Sequence, residues 1–500
     1  MADKADVEIG NKPLLPPKGN RVEPPGNMAM KVLCCTLLPF RWVPYILVMG
    51  VVLPLTMLLQ CIRAPIRRCC SGKPSDILHK KIKLKAAPMP EYVYQLVLKK
   101  PIEDVAKLRK IIVEQAAEFS IPENLVEVIE CKYPNPKVPN PNKGYDGSYY
   151  TGTNFMRESM DKRVVSKQIS VKVYNAPKGS GKATVLMGQG NVNQWDGSSN
   201  FNFAKEYLSR YVGNEKNKIN MAGEVEMSDE AKDVYDNQTS FWKFLFCQLP
   251  YATIVNMHGW AWFVSSFSKC CGGNGFNAFD NVVFYNLNEE DSKAFALGCK
   301  KFGMKPFAAL VHSGVDAHNQ IIGRPIRRVC MQASLQSRCY VPKIERNAVG
   351  DWLVGPLQRI DGNFTREQSQ KNYESLVDQL EHPSPDSEVA KSIMAKAYGG
   401  QISGAAMFEP NATYPYDAQL TYDALFFNNY GRRTLPVELE VVSWNWCAPM
   451  HLGLNCICVN GRTCCAFASV WMPHETTTKI RDVFEETMQE YIDAGKKEMV

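Results

Sequence analysis

The chain has 500 residues, 45% of them hydrophobic and 22% charged, with a formal net charge of +7. That length suits more than one domain, and the composition excludes a fully disordered or collagen-like chain. The charge is not spread as a nucleic-acid binder would need. Residues 61–110 carry 13 Lys and Arg against four Asp and Glu, so the rest of the chain nets about −2 with no basic stripe interleaved with aromatics.

Residues 1–30, with "NKPLLPPKGNRVEPPGN", read as a disordered tail. Trp42 to Ile62 then runs 21 residues without a charge, long enough to cross a bilayer as a helix. It starts too late and runs too long for a signal peptide. Pro44 and Pro54 are tolerated in a membrane helix, where they introduce kinks. The apolar run extends backwards through "VLCCTLLPF", so a hairpin dipping into one leaflet stands beside a single span. Residues 31–62 are therefore expected to anchor the chain. The basic linker, 63–87, holds that side in the cytosol and attracts anionic lipid. Cys34, Cys35, Cys61, Cys69 and Cys70 flank the anchor and are candidates for palmitoylation. The 17 cysteines include four adjacent pairs, which do not make a disulfide framework, and a cytosolic body keeps them reduced. Sequons at Asn237, Asn363 and Asn411 are near the number chance supplies. The expected localisation is a membrane, that of the endoplasmic reticulum, with the body cytosolic.

Apolar spacing predicts a helix from Val105 to Ala117. "KQISVKVYN" alternates as a half-buried strand, and "ATVLMGQG" returns as a buried one. "GSGKAT" between them lacks the first Gly and the Ser or Thr of a phosphate loop, and reads as a hairpin turn. "NVNQWDGSSNF" leads into a helix, "FNFAKEYLSRYVG". The aromatic segment Phe241 to Cys271 reads as core, with an interfacial membrane patch as the sharper alternative. "NVVFYNL" is a strand. The helix after it carries acids first and lysines last, with Asn288 as its cap and Gly303 at its end. A further helix and the strand "RRVCMQASLQSRCY" follow. Asn460-Gly461 is a favoured type I′ turn between two apolar strands. That register sets Cys456 opposite Cys465 with Cys458 on their face, read as core packing rather than a metal site. A closing amphipathic helix is expected, capped near Thr476 to Thr478. The body is mixed α/β in two halves joined near residues 265–280.

Within "HSGVD", His312 and Asp316 share a helix face, so the carboxylate could orient the imidazole as a base. An ordinary helix pair is the plainer account.

The order of elements resembles the CoA-dependent acyltransferase superfamily, which includes wax ester synthase/diacylglycerol acyltransferases, alcohol acyltransferases and condensation domains. The resemblance covers about residues 88–495. "VLMGQGNVNQWDGSSNFNFAKEYLSRYVG" is similar to the strand, HHxxxDG motif and helix of that family, with Asp196 and Gly197 at the motif's Asp and Gly. "VVFYNLNEEDSKAFALGCKKFGMKPFAALVHSGVDA" resembles the start of its second half, and "VELEVVSWNWCAPMHLGLNCICVNGRTCCAFASVWM" its closing strands. "HSGVD" matches the shorter HxxxD form.

The resemblance implies two related α/β lobes, 88–270 and 271–500, with a tunnel between them behind the anchor. It also implies O-acyl transfer from acyl-CoA, a co-substrate rather than a bound cofactor, to a lipid alcohol beside membrane lipid, with no metal and no nucleic acid. Asn191 and Val192 stand where the family has two histidines, the second of them its general base. Neither residue is basic, and losing such a base costs roughly 10²- to 10⁴-fold in rate. The motif Asp holds the loop and Gly permits the turn. The base would then come from His312, His258, His451 or the substrate. The other expectation is an inactive relative that binds lipid or acyl chains, or a membrane-tethered interaction protein.

Overall fold

The computed structural model describes residues 92–132, 167–175, 184–190, 197–214, 282–323, 328–332, 357–359, 364–382, 424–446, 452–468 and 474–499, with the isolated helical positions Leu58, Ile62 and Ile66. Those three and the helices of the body include none long and apolar enough to cross a membrane. The expected anchor, the motif residues 191–196 and the aromatic segment 241–271 lie outside the described residues, apart from Leu58 and Ile62.

The body is mixed α/β, built on two sheets. The first half supplies β1 (Tyr92–Leu98), α1 (Val105–Glu118), β2 (Val126–Glu130), β3 (Ile169–Tyr174), β4 (Thr184–Gly190) and α2 (Gly197–Tyr211). Helix α1 begins where expected because the Asp104 side chain accepts from the Lys107 backbone N–H at 2.7 Å. Strands β3 and β4 pair antiparallel, as "GSGKAT" between them requires.

The second half supplies β5 (Val282–Asn286), α3 (Glu289–Lys301), α4 (Pro306–Ile322), β6 (Arg328–Gln332), β7 (Leu357–Arg359), α5 (Arg366–Glu381), β8 (Ala424–Arg433), β9 (Leu439–Trp446), β10 (Gly453–Val459), β11 (Arg462–Ala468) and α6 (His474–Lys496). Asn288 caps α3 by accepting from the Asp291 N–H at 2.8 Å, and Gly303 turns the chain out at φ +66°. Helix α6 starts at His474, a turn before the threonines expected to cap it.

The five-stranded first sheet runs β2-β3-β4-β1-β9, and the six-stranded second sheet β5-β11-β10-β8-β6-β7. One strand departs from the order the resemblance implies. Residues 439–446 were expected among the closing strands of the second half, yet β9 pairs antiparallel with β1, Tyr92 opposite Trp446. The chain thus leaves the second sheet after β8, adds a strand to the first, and returns through β10.

This exchange explains the near-continuous hydrophobic runs. Alternate residues of β5 divide between two cores. Val283 and Tyr285 pack under the helices of the second half, while Val282 and Phe284 join the core of the first sheet. Ile457, Val459, Cys464 and Ala466 of β10 and β11 join that shared core as well. Strands buried on both faces lose polar alternation. All six residues of β3 are buried, where a half-buried strand was expected.

The β10–β11 turn is the expected one, with Asn460 at φ +49° and Gly461 at φ +79°. Asn460 does more than turn. Its side-chain oxygen accepts from the Leu435 N–H at 2.9 Å, and its amide donates to the Leu435 and Val437 carbonyls at 3.2 and 3.0 Å. It therefore fastens the hairpin to the segment that carries the chain between sheets. Asn460→Ala is expected to cost about 1–3 kcal/mol, from three lost hydrogen bonds and a strained φ. A denaturant titration reads this, and Asn460→Gly should recover only the turn component.

Candidate active site at the lobe junction

Strand β4 ends at Gly190 and α2 begins at Gly197, so the six intervening residues connect a central strand to a buried helix. Asn191, Val192 and Asp196 belong to that connection and lie outside the described residues. Gly197 is described, and its need for glycine is steric. A Cβ there would lie 1.9 Å from a Tyr430 ring carbon. Tyr430 belongs to β8, so the motif glycine seats α2 directly against the second half.

Arg433, three residues on, fastens the same place. Its Nη2 donates to Ser198 Oγ at 2.6 Å, its Nη1 to Asn202 Oδ1 at 3.4 Å, and its Nε to the Tyr430 carbonyl at 3.0 Å. The guanidinium carbon also sits 5.5 Å from the Phe201 ring centroid. Behind α2, Tyr94 stacks on Trp444 at 4.7 Å and shares a 2.6 Å hydroxyl contact with Tyr207. The start of α2 is thus held between β1 and β9 on one side and β8 on the other.

Beside this contact lies a groove of about 770 Å³ between α2, α3, the end of β8 and the β10–β11 turn. Lys205, Lys293, Arg432 and Arg433 line it, with Glu289 as its one acid among the lining residues. Burial, and then the Arg433 guanidinium, hold the Lys205 ammonium below its usual pKa. Nothing in the sequence gathers these four cations, because three elements spread over more than 200 residues supply them. Only the adjacent Arg432-Arg433 after a strand was a visible signal.

His312 and Asp316 sit on α4. Two residues beyond His312, Gly314 faces the sheet, where a Cβ would lie 2.8 Å from Phe427. Two residues on a helix are about 200° apart, so His312 points away from that sheet. Its ring lies over Phe364 at 6.3 Å, in front of α5. Its Nδ1 has no hydrogen-bond partner, while Asp316 accepts from Gln320 at 2.8 Å. The structure does not bring His312 to the start of α2. His258 and His451 lie outside the described residues.

Burial, with the Arg366 charge, lowers His312 to about 4, and burial lowers His318 to about 3. Both rings are neutral in the fold where the unfolded chain, with an ordinary value of 6.5, already binds the proton. Their contribution to stability is therefore full above pH 6.5 and lost as pH falls toward 4 and then 3. Melting temperature should drop across that window, and His318→Leu should flatten the drop. An unchanged slope in the variant would contradict the assignment.

Cys456 and Cys465 oppose each other as expected, with sulfurs 3.7 Å apart in the core under the helices. The Cys456 thiol and burial push the Cys465 thiol well above its usual range. Among the described residues no group of three or more His, Cys, Asp and Glu is placed to hold a metal ion.

No family model matches the sequence, and no curated protein matches it. Solved structures do resemble the fold. The first condensation domain of the CDA synthetase is similar at 10% identity, over 85% of this chain and 96% of that one, with a TM-score of 0.47. A trichothecene 15-O-acetyltransferase from Fusarium sporotrichioides is similar at 9% identity, over 83% and 92%, with a TM-score of 0.46. The condensation domain of the Monacolin K polyketide synthase is similar at 9% identity, over 80% and 92%, with a TM-score of 0.46.

Proposed function

We propose that the protein is a membrane-anchored O-acyltransferase that moves a fatty acyl group from acyl-CoA to a lipid alcohol. The observation that carries this reading is the seat of Gly197. Gly197, matched to the motif's Gly, opens a helix wedged between the two halves. A site between lobes admits a long thioester and a separate alcohol, and positioning two reactants is itself a large part of such catalysis.

In the reaction the alcohol oxygen attacks the thioester carbonyl carbon. The carbon–sulfur bond breaks, the ester forms, and the hydroxyl proton leaves with the CoA thiol. This chain's contribution is positional. Arg433, Ser198 and Asn202 fix the start of α2, and Gly197 lets Tyr430 close against it. Neither Asn191 nor Val192 can take the proton, so on this reading His258, His451 or the substrate does. The apolar run Trp42 to Ile62 and its basic collar suit an acceptor that resides in lipid, with the body cytosolic.

One observation favours a second reading. Val192 stands at the position of the family's base, which suits a non-catalytic relative that binds acyl chains. Purified full-length protein in lipid, labelled long-chain acyl-CoA and a panel of alcohols separate the two. Ester formed above the uncatalysed rate supports transfer, and intact acyl-CoA binding with no ester supports the binding protein.

A further inference from the structure

We propose that the groove between α2 and α3 is a binding site for a phosphomonoester, and that on the acyl-CoA reading above its ligand is the 3′-phosphate of the carrier. Three observations lead there. Four cations from three elements line one cavity: Lys205 from α2, Lys293 from α3, and Arg432 with Arg433 from β8, against the single carboxylate of Glu289. Like charges gathered in a concave site repel one another until a multivalent anion enters, and concavity focuses their field on that anion.

The second observation is how the cations are held. Arg433 is fixed by Ser198, Asn202 and the Tyr430 carbonyl, so one guanidinium is already in place. Lys205, Lys293 and Arg432 make no ion pair among the described residues. Lys301 and Lys496, by contrast, lie against carboxylates, Glu498 at 2.8 Å and Asp291 at 2.7 Å. Burial, and then the Arg433 charge, hold the Lys205 proton less tightly, and a bound dianion would oppose that.

The third is size. About 770 Å³ is several times what a free phosphate fills and falls within the range of sites for cofactor-sized molecules. The Ser292 hydroxyl and the apolar Ala296 and Leu297 complete the wall, so the site suits a phosphate carried on a larger body. A lipid phosphomonoester head group has the same charge and donor requirements as a nucleotide 3′-phosphate, and the test must tell them apart.

Calorimetry on the full chain in detergent, with CoA, 3′-dephospho-CoA and phosphatidic acid nanodiscs as probes, makes the test. CoA is expected to bind about tenfold or more tightly than dephospho-CoA. Lys293→Ala and Arg432→Ala should each weaken CoA binding about tenfold while leaving dephospho-CoA nearly unchanged. Lys300→Ala, further along α3 and exposed, is the charge control and should change neither. If the same variants instead abolish binding to phosphatidic acid, and CoA is not distinguished from dephospho-CoA, the phosphomonoester comes from lipid. The site then stands and the acyl-CoA assignment fails. Equal binding of every probe by both variants, with melting temperatures intact, overturns the proposal. Binding as expected with no acyl transfer would remove only the transferase reading.

Discussion

Gly298→Ala and Gly495→Ala are each expected to destabilise the second half by about 3 kcal/mol or more, from overpacking that backbone cannot relieve. Helices α3 and α6 approach so closely that a Cβ at Gly298 would lie 1.8 Å from the Tyr491 carbonyl oxygen. One at Gly495 would lie 1.7 Å from the Ala294 carbonyl oxygen. A flexible side chain can swing aside, but here the obstacle in both directions is main chain. The helices would have to separate, and the core of Phe295, Cys299, Met488 and Ile492 beneath them would open. The ion pairs Lys496–Asp291 and Lys301–Glu498 tie the same helices, but they are exposed and offset little. Thermal or denaturant unfolding of each variant reads the loss. A change within about 0.5 kcal/mol, the range of an ordinary surface substitution, would contradict the packing.

Arg433→Ala is expected to cost about 2–4 kcal/mol and to loosen the start of α2 from the second half. The guanidinium spends its donors on Ser198, Asn202 and the Tyr430 carbonyl at once, and lies over the Phe201 ring. That geometry needs a planar fork, so Arg433→Lys should recover little of the loss. Hydrogen exchange gives the local readout. Amides of residues 198–205 should exchange faster in the variant, while those of α6 stay protected. Uniform acceleration across both halves, or none, would contradict a local clamp.

Much of this arrangement was legible in sequence where chemistry is local. Asn288 announces the start of α3, Gly303 its end, and Asn460-Gly461 the last hairpin, because caps and turns are decided by a few neighbouring residues. The β3–β4 hairpin was legible for the same reason, and so was the helix expected from Phe201, which begins a turn earlier, at Gly197. What was hidden depends on contacts between distant segments. No local pattern shows that β9 leaves its neighbours to pair with β1, since an apolar strand fits either sheet. Neither the glycines of α3 and α6 nor the four groove cations announce themselves, because the partner that gives each its meaning lies far along the chain. His312 and Asp316 illustrate the reverse. Their spacing suggests a pair, yet Asp316 accepts from Gln320 and the ring turns toward Phe364.

The central claim is that an acyl thioester occupies the junction beside Gly197. Photolabelling the full-length protein with a long-chain acyl-CoA that carries a diazirine near the thioester, with unlabelled acyl-CoA as competitor, tests it most directly. The account predicts competed label on residues 191–202 and on the end of β8 or the β10–β11 turn. Competed label confined to α4 and α5 around His312, or no competed label at all, would contradict it.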